Sequence, residues 1–572
     1  MELIKNISKI LNKKIKFYLL FIFFTIFLAM ILEAISLASF YPLLEILNSN
    51  SDQAQESNIK DSFFHILNYF NISEKNFFTA LLIIVSSLFI LKILILLFCY
   101  WHGSNFAFII RFYLTKILYK TYLQKNYQDL IKYNSADIIK NIDYEIHQFG
   151  SGITSIMTFL TEGLIFLSIL IFLFFFNPKV TLSIILICLV IYLILQFSYN
   201  RLLIQWSSAA QKYHKNRTKN FLETFNAIKE IKIFSKENLF YNSMENFNKK
   251  FFNANRNQRF LFHIPKAVLE TSLIIIVSLY LINLNLQDQN FTFYLSDIGI
   301  YLIAAYRVFP SVNRMIVSLQ TIKFSSIFMK NISNQILSEQ INFEKNLNNF
   351  KEKPGLNFQN KIEIKNCNFS FNNEKNIINN LSLTFEKGKI YGIKGVSGSG
   401  KTTLLNLISG LISPDSGQIL FDGKENNITS SAKILNVGYV PQNVFLFDMS
   451  IAKNIHLNIK DNSENDFKKI SSLIENLELG KKIASLSKGL HTDVGERGVN
   501  LSGGQVQRIG IARALYHEPK LLILDEATNA IEKELEIKVL RYLNNLKKDK
   551  IIIIVAHRES VFESCDEVFK LN

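Results

Sequence analysis

Apolar residues are distributed very unevenly along this chain. Before about residue 320 they run together in long stretches, whereas further on they come in short blocks separated by polar residues. A hydrocarbon layer ~30 Å thick needs about 20 apolar helical residues to cross it. The pattern predicts six membrane helices at 17–47, 77–102, 153–177, 180–200, 262–284 and 296–320. The intervening segments 103–152 and 201–261 are too long for turns and periodic enough to extend the membrane helices into the cytoplasm. Within the second, NAIKEIKIFSKENLF from Asn226 sets Ile228, Ile231, Ile233 and Phe234 at helical spacing, a face suited to docking against another domain. DSFFHILNYF, Asp61 to Phe70, reads as a short amphipathic helix that lies at the lipid interface or packs on its own protein. A polar stretch containing Pro354 then reads as a linker. The expected domains are therefore 1–325 in the membrane, 326–360 as linker and 361–572 as a soluble domain.

Charge orients this arrangement. The 572 residues contain 63 Lys and Arg against 47 Asp and Glu. In a membrane protein such an excess marks the cytoplasmic segments and does not point to nucleic acid, which is not expected as a partner. Segments 103–152 and 201–261 are rich in Lys and Arg and belong on the cytoplasmic side. The segment with Asp52, Glu56, Asp61 and Glu74 against Lys60 and Lys75, and the Lys- and Arg-free segment 283–293, belong outside. An even number of crossings then puts both termini in the cytoplasm. Lys5, Lys9, Lys13, Lys14 and Lys16 resemble the start of a signal peptide, but the apolar run from Phe17 to Leu47 is too long for one and reads as an uncleaved first helix. Cys99, Cys188, Cys367 and Cys565 are too dispersed for a metal site or a disulfide framework. Lys92, Lys266 and Arg307 fall in or beside apolar runs, as do Glu33, Glu162 and Glu270. Charge inside a membrane is costly, so these groups either pair with one another or receive a charged substrate.

The soluble part carries recognisable chemistry. In KIYGIKGVSGSGKTTLLNLISG a strand ends at a glycine-rich loop that opens a helix. Gly395, Gly398 and Gly400, with Ser397 and Ser399, bring backbone N–H groups to phosphates. Lys401 reaches the outer phosphates, Thr402 offers a hydroxyl to Mg²⁺, and Thr403 follows it in the loop-to-helix turn. LLILDEATNA has the pattern of a buried parallel strand delivering Asp525 and Glu526 to its C-terminal edge, Asp525 to hold Mg²⁺ and Glu526 to activate the attacking water.

In LSGGQVQRIGIARAL, the residues Leu501, Ser502, Gly503, Gly504 and Gln505 match the ABC signature, and from these motifs the chain resembles an ABC transporter. The resemblance implies a polytopic α-helical membrane domain of the ABC exporter type followed by an α/β P-loop ABC ATPase domain, with ATP and Mg²⁺ as cofactors. Gln442 in VGYVPQN looks like the Q-loop residue, a metal and catalytic contact. His557 in IIIVAHR looks like the switch histidine, and Phe371 like the aromatic that stacks on adenine. TDVGERG, Thr492 to Gly498, is similar to an exporter motif. A chain with one such domain is expected to work as a homodimer, with Ser502, Gly503, Gly504 and Gln505 of one copy closing on ATP held by the other. Two features depart from the pattern: Glu532 in NAIE stands where an aspartate is usual, and no helical tail follows the last strand.

In the membrane part, AAYRVFPSVNRM (Ala304 to Met315), Glu33 before AISL, PKAVLE around Lys266, and Lys92 resemble PglK-type flippases of lipid-linked oligosaccharides. That resemblance implies a bacterial inner-membrane flippase for a lipid-linked oligosaccharide or related polyprenyl-pyrophosphate glycan, with Lys92, Lys266 and Arg307 receiving the pyrophosphate and membrane lipid as a partner. The alternatives are an exporter of drugs, lipids or peptides and an ATP-gated channel or regulator. The short segment before the first helix weighs against peptide exporters that carry a protease domain. Intact Lys401, Glu526, Ser502 and His557 weigh against the channel.

Overall fold

A computed structural model describes residues 10–39, 77–176, 178–286, 295–346, 358–371, 376–425, 437–457, 464–495 and 498–571. The expected amphipathic segment Asp61–Phe70, the tip of the second outward segment at 287–294, linker residues 347–357, and Glu496 and Arg497 of the exporter motif lie outside the described residues. The chain forms two compact units, Met1–Leu123 with Tyr133–Glu344, and Gln124–Lys132 with Lys345–Asn572.

The first unit is helical. It comprises α1 (Lys13–Ala38), α2 (Phe77–Gln124), α4 (Ser135–Lys140) leading through one π turn (Asn141–Glu145) into α5 (Ile146–Phe176), α6 (Pro178–Asn226), α7 (Ile228–Ile233), α8 (Glu237–Leu261), α9 (Ile264–Leu286) and α10 (Leu295–Asn346). The short α3 (Tyr127–Leu130) belongs to the second unit. Among the described residues, three stretches are long and apolar enough to cross a membrane: Lys13–Ala38, Thr79–Gln124 and Ser135–Phe175. Helices α2, α6 and α10 have 48, 49 and 52 residues. At 1.5 Å per residue each is roughly 70 to 80 Å long, over twice a hydrocarbon layer, so each continues well past any membrane crossing. Residues 326–346, expected as linker, are instead the last turns of α10. Their polar surface obscured a helical stripe of buried Phe328, Met329, Ile332 and Ile336. In the segment expected to dock, Ile231 is buried while Ile228, Ile233 and Phe234 are exposed.

Helix α1 is built with its polar side inward: Phe17, Leu20, Phe24 and Phe27 are exposed, whereas Thr25, Glu33 and Ser36 are buried. Lipid tails solvate the apolar face, so the polar groups turn toward protein partners. Glu33 has no exposure. It accepts from Arg307 Nε at 2.6 Å and Nη2 at 3.0 Å, and from Lys92 Nζ at 3.3 Å. One carboxylate thereby joins α1, α2 and α10. Glu162 on α5, also without exposure, accepts from Tyr100 Oη, from Ser311 Oγ at 2.7 Å and from Arg314 Nη2 at 3.1 Å. Of the two alternatives for these charges, Glu33 shows pairing with the named cations Lys92 and Arg307, whereas Glu162 pairs with Arg314, a residue the sequence reading did not single out. Lys266 lies 3.7 Å from Glu270 one turn along α9, with both side chains mostly exposed. Exposed pairs of that kind contribute little.

The second unit has two sheets. One is antiparallel, in the order β2 (Ile378–Glu386), β1 (Lys361–Phe369), β4 (Ser416–Phe421), β5 (Lys424–Glu425). The other is parallel, in the order β6 (Val437–Val440), β7 (Leu521–Asp525), β8 (Ile551–Val555), β3 (Ile390–Gly395), β9 (Glu567–Leu571). Alternate residues of β7 and β8 enter opposite cores. Leu522, Leu524, Ile552 and Ile554 join one core, and Leu521, Ile523, Ile551 and Ile553 the other. Burial on both faces explains their uninterrupted apolar sequence.

Glu33→Ala would leave Lys92 buried without its carboxylate, a change worth about 3 to 5 kcal/mol. The purified variant should melt at a clearly lower temperature than the parent, and adding Lys92→Met should recover part of the loss. An unchanged Tm for the single variant would show that Glu33 does not hold these helices together.

Candidate functional site: the nucleotide pocket

Four neighbouring parallel strands end on one edge, and their C-terminal loops carry the site. That edge is where open α/β sheets place their ligands. β3 ends at Gly395 and opens the phosphate loop into α11 (Lys401–Ile408). Gly398 and Gly400 adopt φ values of 85° and 87°, which favour glycine. A Cβ on Gly395 would come 2.6 Å from Ser399 Oγ and 2.7 Å from the Leu571 carbonyl, so a side chain there would close the loop. Lys401 is buried and donates to the carbonyls of Gly395 at 2.8 Å and Val396 at 3.0 Å. Its ammonium is thereby held across the loop, poised to exchange these carbonyls for phosphate oxygens. The buried Ser399 hydroxyl has no hydrogen-bond partner among the described residues, a donor left free for a phosphate oxygen. Phe371, past the end of β1, is partly exposed and meets Phe369 edge to face with centroids 4.9 Å apart.

β7 delivers the two acids. Asp525 is buried and accepts from Tyr439 Oη at 3.1 Å and Thr402 Oγ1 at 3.3 Å. Burial pushes its carboxyl above the usual range, the two hydroxyls and Lys401 draw it down, and Glu526 pushes it further up. Asp525 and Thr402 together form a small, all-oxygen donor set. That suits Mg²⁺, which takes one or two protein oxygens and completes its shell with water and phosphate. Among the described residues no larger cluster of metal-binding side chains exists.

Glu526 leaves the strand with φ 51° and donates its N–H to the Val555 carbonyl of β8 at 3.0 Å. This turn sends its carboxylate toward the loops after β6 and β8. Gln442 Nε2 donates to it at 2.7 Å, Asn529 Nδ2 at 3.0 Å, and His557 Nε2 lies 2.8 Å away. Gln442 and His557, 84 and 31 positions from Glu526 in sequence, thus form one hydrogen-bonded group with it. The arrangement fixes a carboxylate that can orient and deprotonate a water.

The signature forms the start of α12 (Gly503–Tyr516), with Ser502 as N-cap and Gln505 closing a capping box; the Ser502 N–H donates to Gln505 Oε1 at 3.0 Å. The Gln505 carboxamide oxygen therefore serves the cap. Gly504 is required by contact, since a Cβ there would come 2.7 Å from the Ala530 carbonyl. Gln507, one turn on, accepts from the Ala530 N–H at 2.9 Å and reaches the Glu526 carbonyl at 3.5 Å. Glu532 caps α13 (Lys533–Leu546) with extended backbone, and Arg558 pins the segment before it through the carbonyls of Asn529 and Ile531. Tyr439, Gln507, Asn529 and Arg558 escaped the sequence reading. Each has an unremarkable local sequence, and only Tyr439, directly before the Q-loop, carried a positional hint.

Residues 378–529 match the ABC transporter family and residues 20–320 match the ABC transporter transmembrane region, the latter more than half of the chain. The chain belongs to the ABC transporter family. This ABC transporter is 30% identical over 454 residues to the heterocyst differentiation ATP-binding protein HepA of Nostoc, with 76% of this chain and 70% of that protein covered. It is 36% identical over 258 residues to a probable ABC transporter ATP-binding/permease protein of Haemophilus influenzae, with 42% and 45% covered. It is 39% identical over 229 residues to the ATP-dependent lipid A-core flippase of Pasteurella multocida, with 39% and 38% covered. The last two matches span less than half of either protein. A solved bacterial Atm1-family ABC exporter with ATP bound has the same fold, with a TM-score of 0.77 over 98% of this chain and 94% of that one at 16% identity.

Tyr439→Phe removes a donor that lowers the Asp525 pKa. A carboxyl with a raised pKa holds its proton to higher pH, and a protonated Asp525 cannot ligate a cation. The acid limb of Mg²⁺-dependent ATP binding should therefore move to higher pH in the variant, with binding near pH 8 almost unchanged. Superimposable profiles would remove Tyr439 from the site.

Proposed function

We propose that this ABC transporter hydrolyses ATP to move a lipid-linked oligosaccharide, or a related polyprenyl-pyrophosphate glycan precursor, across the bacterial inner membrane. The observation that carries this reading is the charge inside the helical unit. Three cations, Lys92, Arg307 and Arg314, share two unexposed carboxylates, Glu33 and Glu162. The excess positive charge suits an anionic pyrophosphate that must pass a region of low dielectric. Arg307 and Arg314 are the more accessible of the three, and Lys266 is an exposed cation on α9. Export of another anionic lipid is the second reading, favoured by the similarity to a lipid A-core flippase.

In the ATPase unit the phosphate loop, Lys401 and Ser399 hold the phosphates, and Phe371 stacks on the base. Mg²⁺ held by Thr402 and Asp525 would neutralise phosphate charge. Glu526 takes the proton of the attacking water, while Gln442 and His557 keep its carboxylate aimed. Two copies of the chain complete the site. Ser502 and the signature glycines, at the N-terminus of a helix, offer donors to the outer phosphate of the partner's nucleotide. Closure on ATP and release after hydrolysis bias a membrane domain between two orientations, with both termini in the cytoplasm.

Glu526→Gln keeps the shape but removes the base. It should lower ATP turnover by about a hundredfold or more while ATP still binds, the general-base contribution being roughly 10² to 10⁴. In vesicles, a polyprenyl-pyrophosphate oligosaccharide should stimulate ATP hydrolysis and be flipped, and Arg307→Ala with Lys266→Ala should weaken both. Stimulation by neutral drugs or peptides alone would overturn the assigned cargo.

A further inference from the structure

Away from both sites, α6 and α10 line a cavity of about 260 Å³ near the middle of α10. It would hold about eight or nine waters at ~30 Å³ each, enough for a small polar headgroup. Leu203 and Ile316, both buried, form its apolar floor, and Tyr192 and Tyr199 stand beside it. Two features of its wall lack partners among the described residues. Gln320 is only 7% exposed, and its buried Oε1 accepts no hydrogen bond from them. Lys323, one turn further along the same face, has no ion-pair partner among the described residues. A buried acceptor without a donor is costly, so such a group calls for a ligand.

We propose that this cavity binds the headgroup of an anionic phospholipid bearing a hydroxyl, of the phosphatidylglycerol type. The phosphodiester sits on the Lys323 ammonium, and a headgroup hydroxyl donates to Gln320 Oε1. The acyl chains leave along the apolar side of α6 and α10. The position supports a lipid in preference to a soluble phosphate. Residues 192–203 and 316–326 span the expected inner ends of the fourth and sixth membrane helices, where tyrosines and lysines meet headgroups and where basic pockets between helices hold anionic lipid. The site is independent of the transported cargo, because it uses neither Glu33 nor Glu162 nor their cations. It also needs no nucleotide.

The test is lipid retention by the full-length purified protein, read by native mass spectrometry after exchange into mixed micelles with equal phosphatidylglycerol and phosphatidylcholine. The parent should keep phosphatidylglycerol about tenfold over phosphatidylcholine. Lys323→Gln should bring the ratio close to one and Lys323→Arg should keep it. Gln320→Leu, which removes the acceptor at similar size, should lower retention several-fold, and Lys236→Gln on an exposed turn should change nothing. A parent without preference, or a preference untouched by Lys323→Gln and Gln320→Leu, overturns the proposal. Equal competition by free glycerol phosphate would identify a soluble anion as the ligand and overturn the lipid assignment. Protection of a cysteine placed at Gln320 by dimerisation alone, in lipid-free detergent, would assign the cavity to the partner subunit and overturn it as well.

Discussion

A charge withdrawn from water must find a partner, and this constraint shapes both units. In the helical unit, Glu33 and Glu162 are wholly buried among apolar residues, where an unpaired carboxylate would be prohibitively costly. Each draws side chains from other helices, so that α1, α2, α5 and α10 meet around two acids. Hydrophobic attraction between helices is weak where lipid is equally apolar, and polar ties of this kind set which faces meet. In the ATPase unit the same rule acts on Lys401 and Asp525. The lysine is held by loop carbonyls and the aspartate by two hydroxyls.

The geometry of the parallel sheet then determines which residues act together. β7 pairs in register with β6 and β8, Leu524 opposite Val440 and Asp525 opposite Val555. Two residues beyond each partner strand come Gln442 and His557. The left-handed turn at Glu526 carries its carboxylate between them. A strand pair shifted by one residue would send these side chains to the opposite face. Gln507 links this centre to the signature helix through Ala530, so the segment that carries the Glu526 carboxylate and the start of the signature helix share one hydrogen-bonded connection.

Helix α10 unites the remaining features. Arg307, Ser311 and Arg314 recur on one face and engage the buried glutamates, while Gln320 and Lys323 line the cavity further along. The same helix runs on to Asn346, where the first unit gives way in sequence to the second. A rotation or tilt of α10 would therefore be felt at the glutamates and at the cavity together.

The amino-acid sequence alone determined the division into an apolar helical part and a nucleotide-binding part, the phosphate loop, the two acids and the signature. Local spacing carries those features: a helix needs consecutive apolar residues to cross lipid, and a phosphate loop needs its glycines and lysine in one short run. It also marked Glu33, Lys92 and Arg307 as charges in costly places, because intramembrane charge is visible residue by residue. Tertiary structure alone decided that two cations converge on Glu33, that Arg314 and Tyr100 join Glu162, and that Tyr439 and Gln507 support the acids. It also decided that residues 326–346 continue a helix instead of linking domains. These outcomes depend on which faces of distant elements meet, and periodicity along one strand or helix carries no record of the element packed against it.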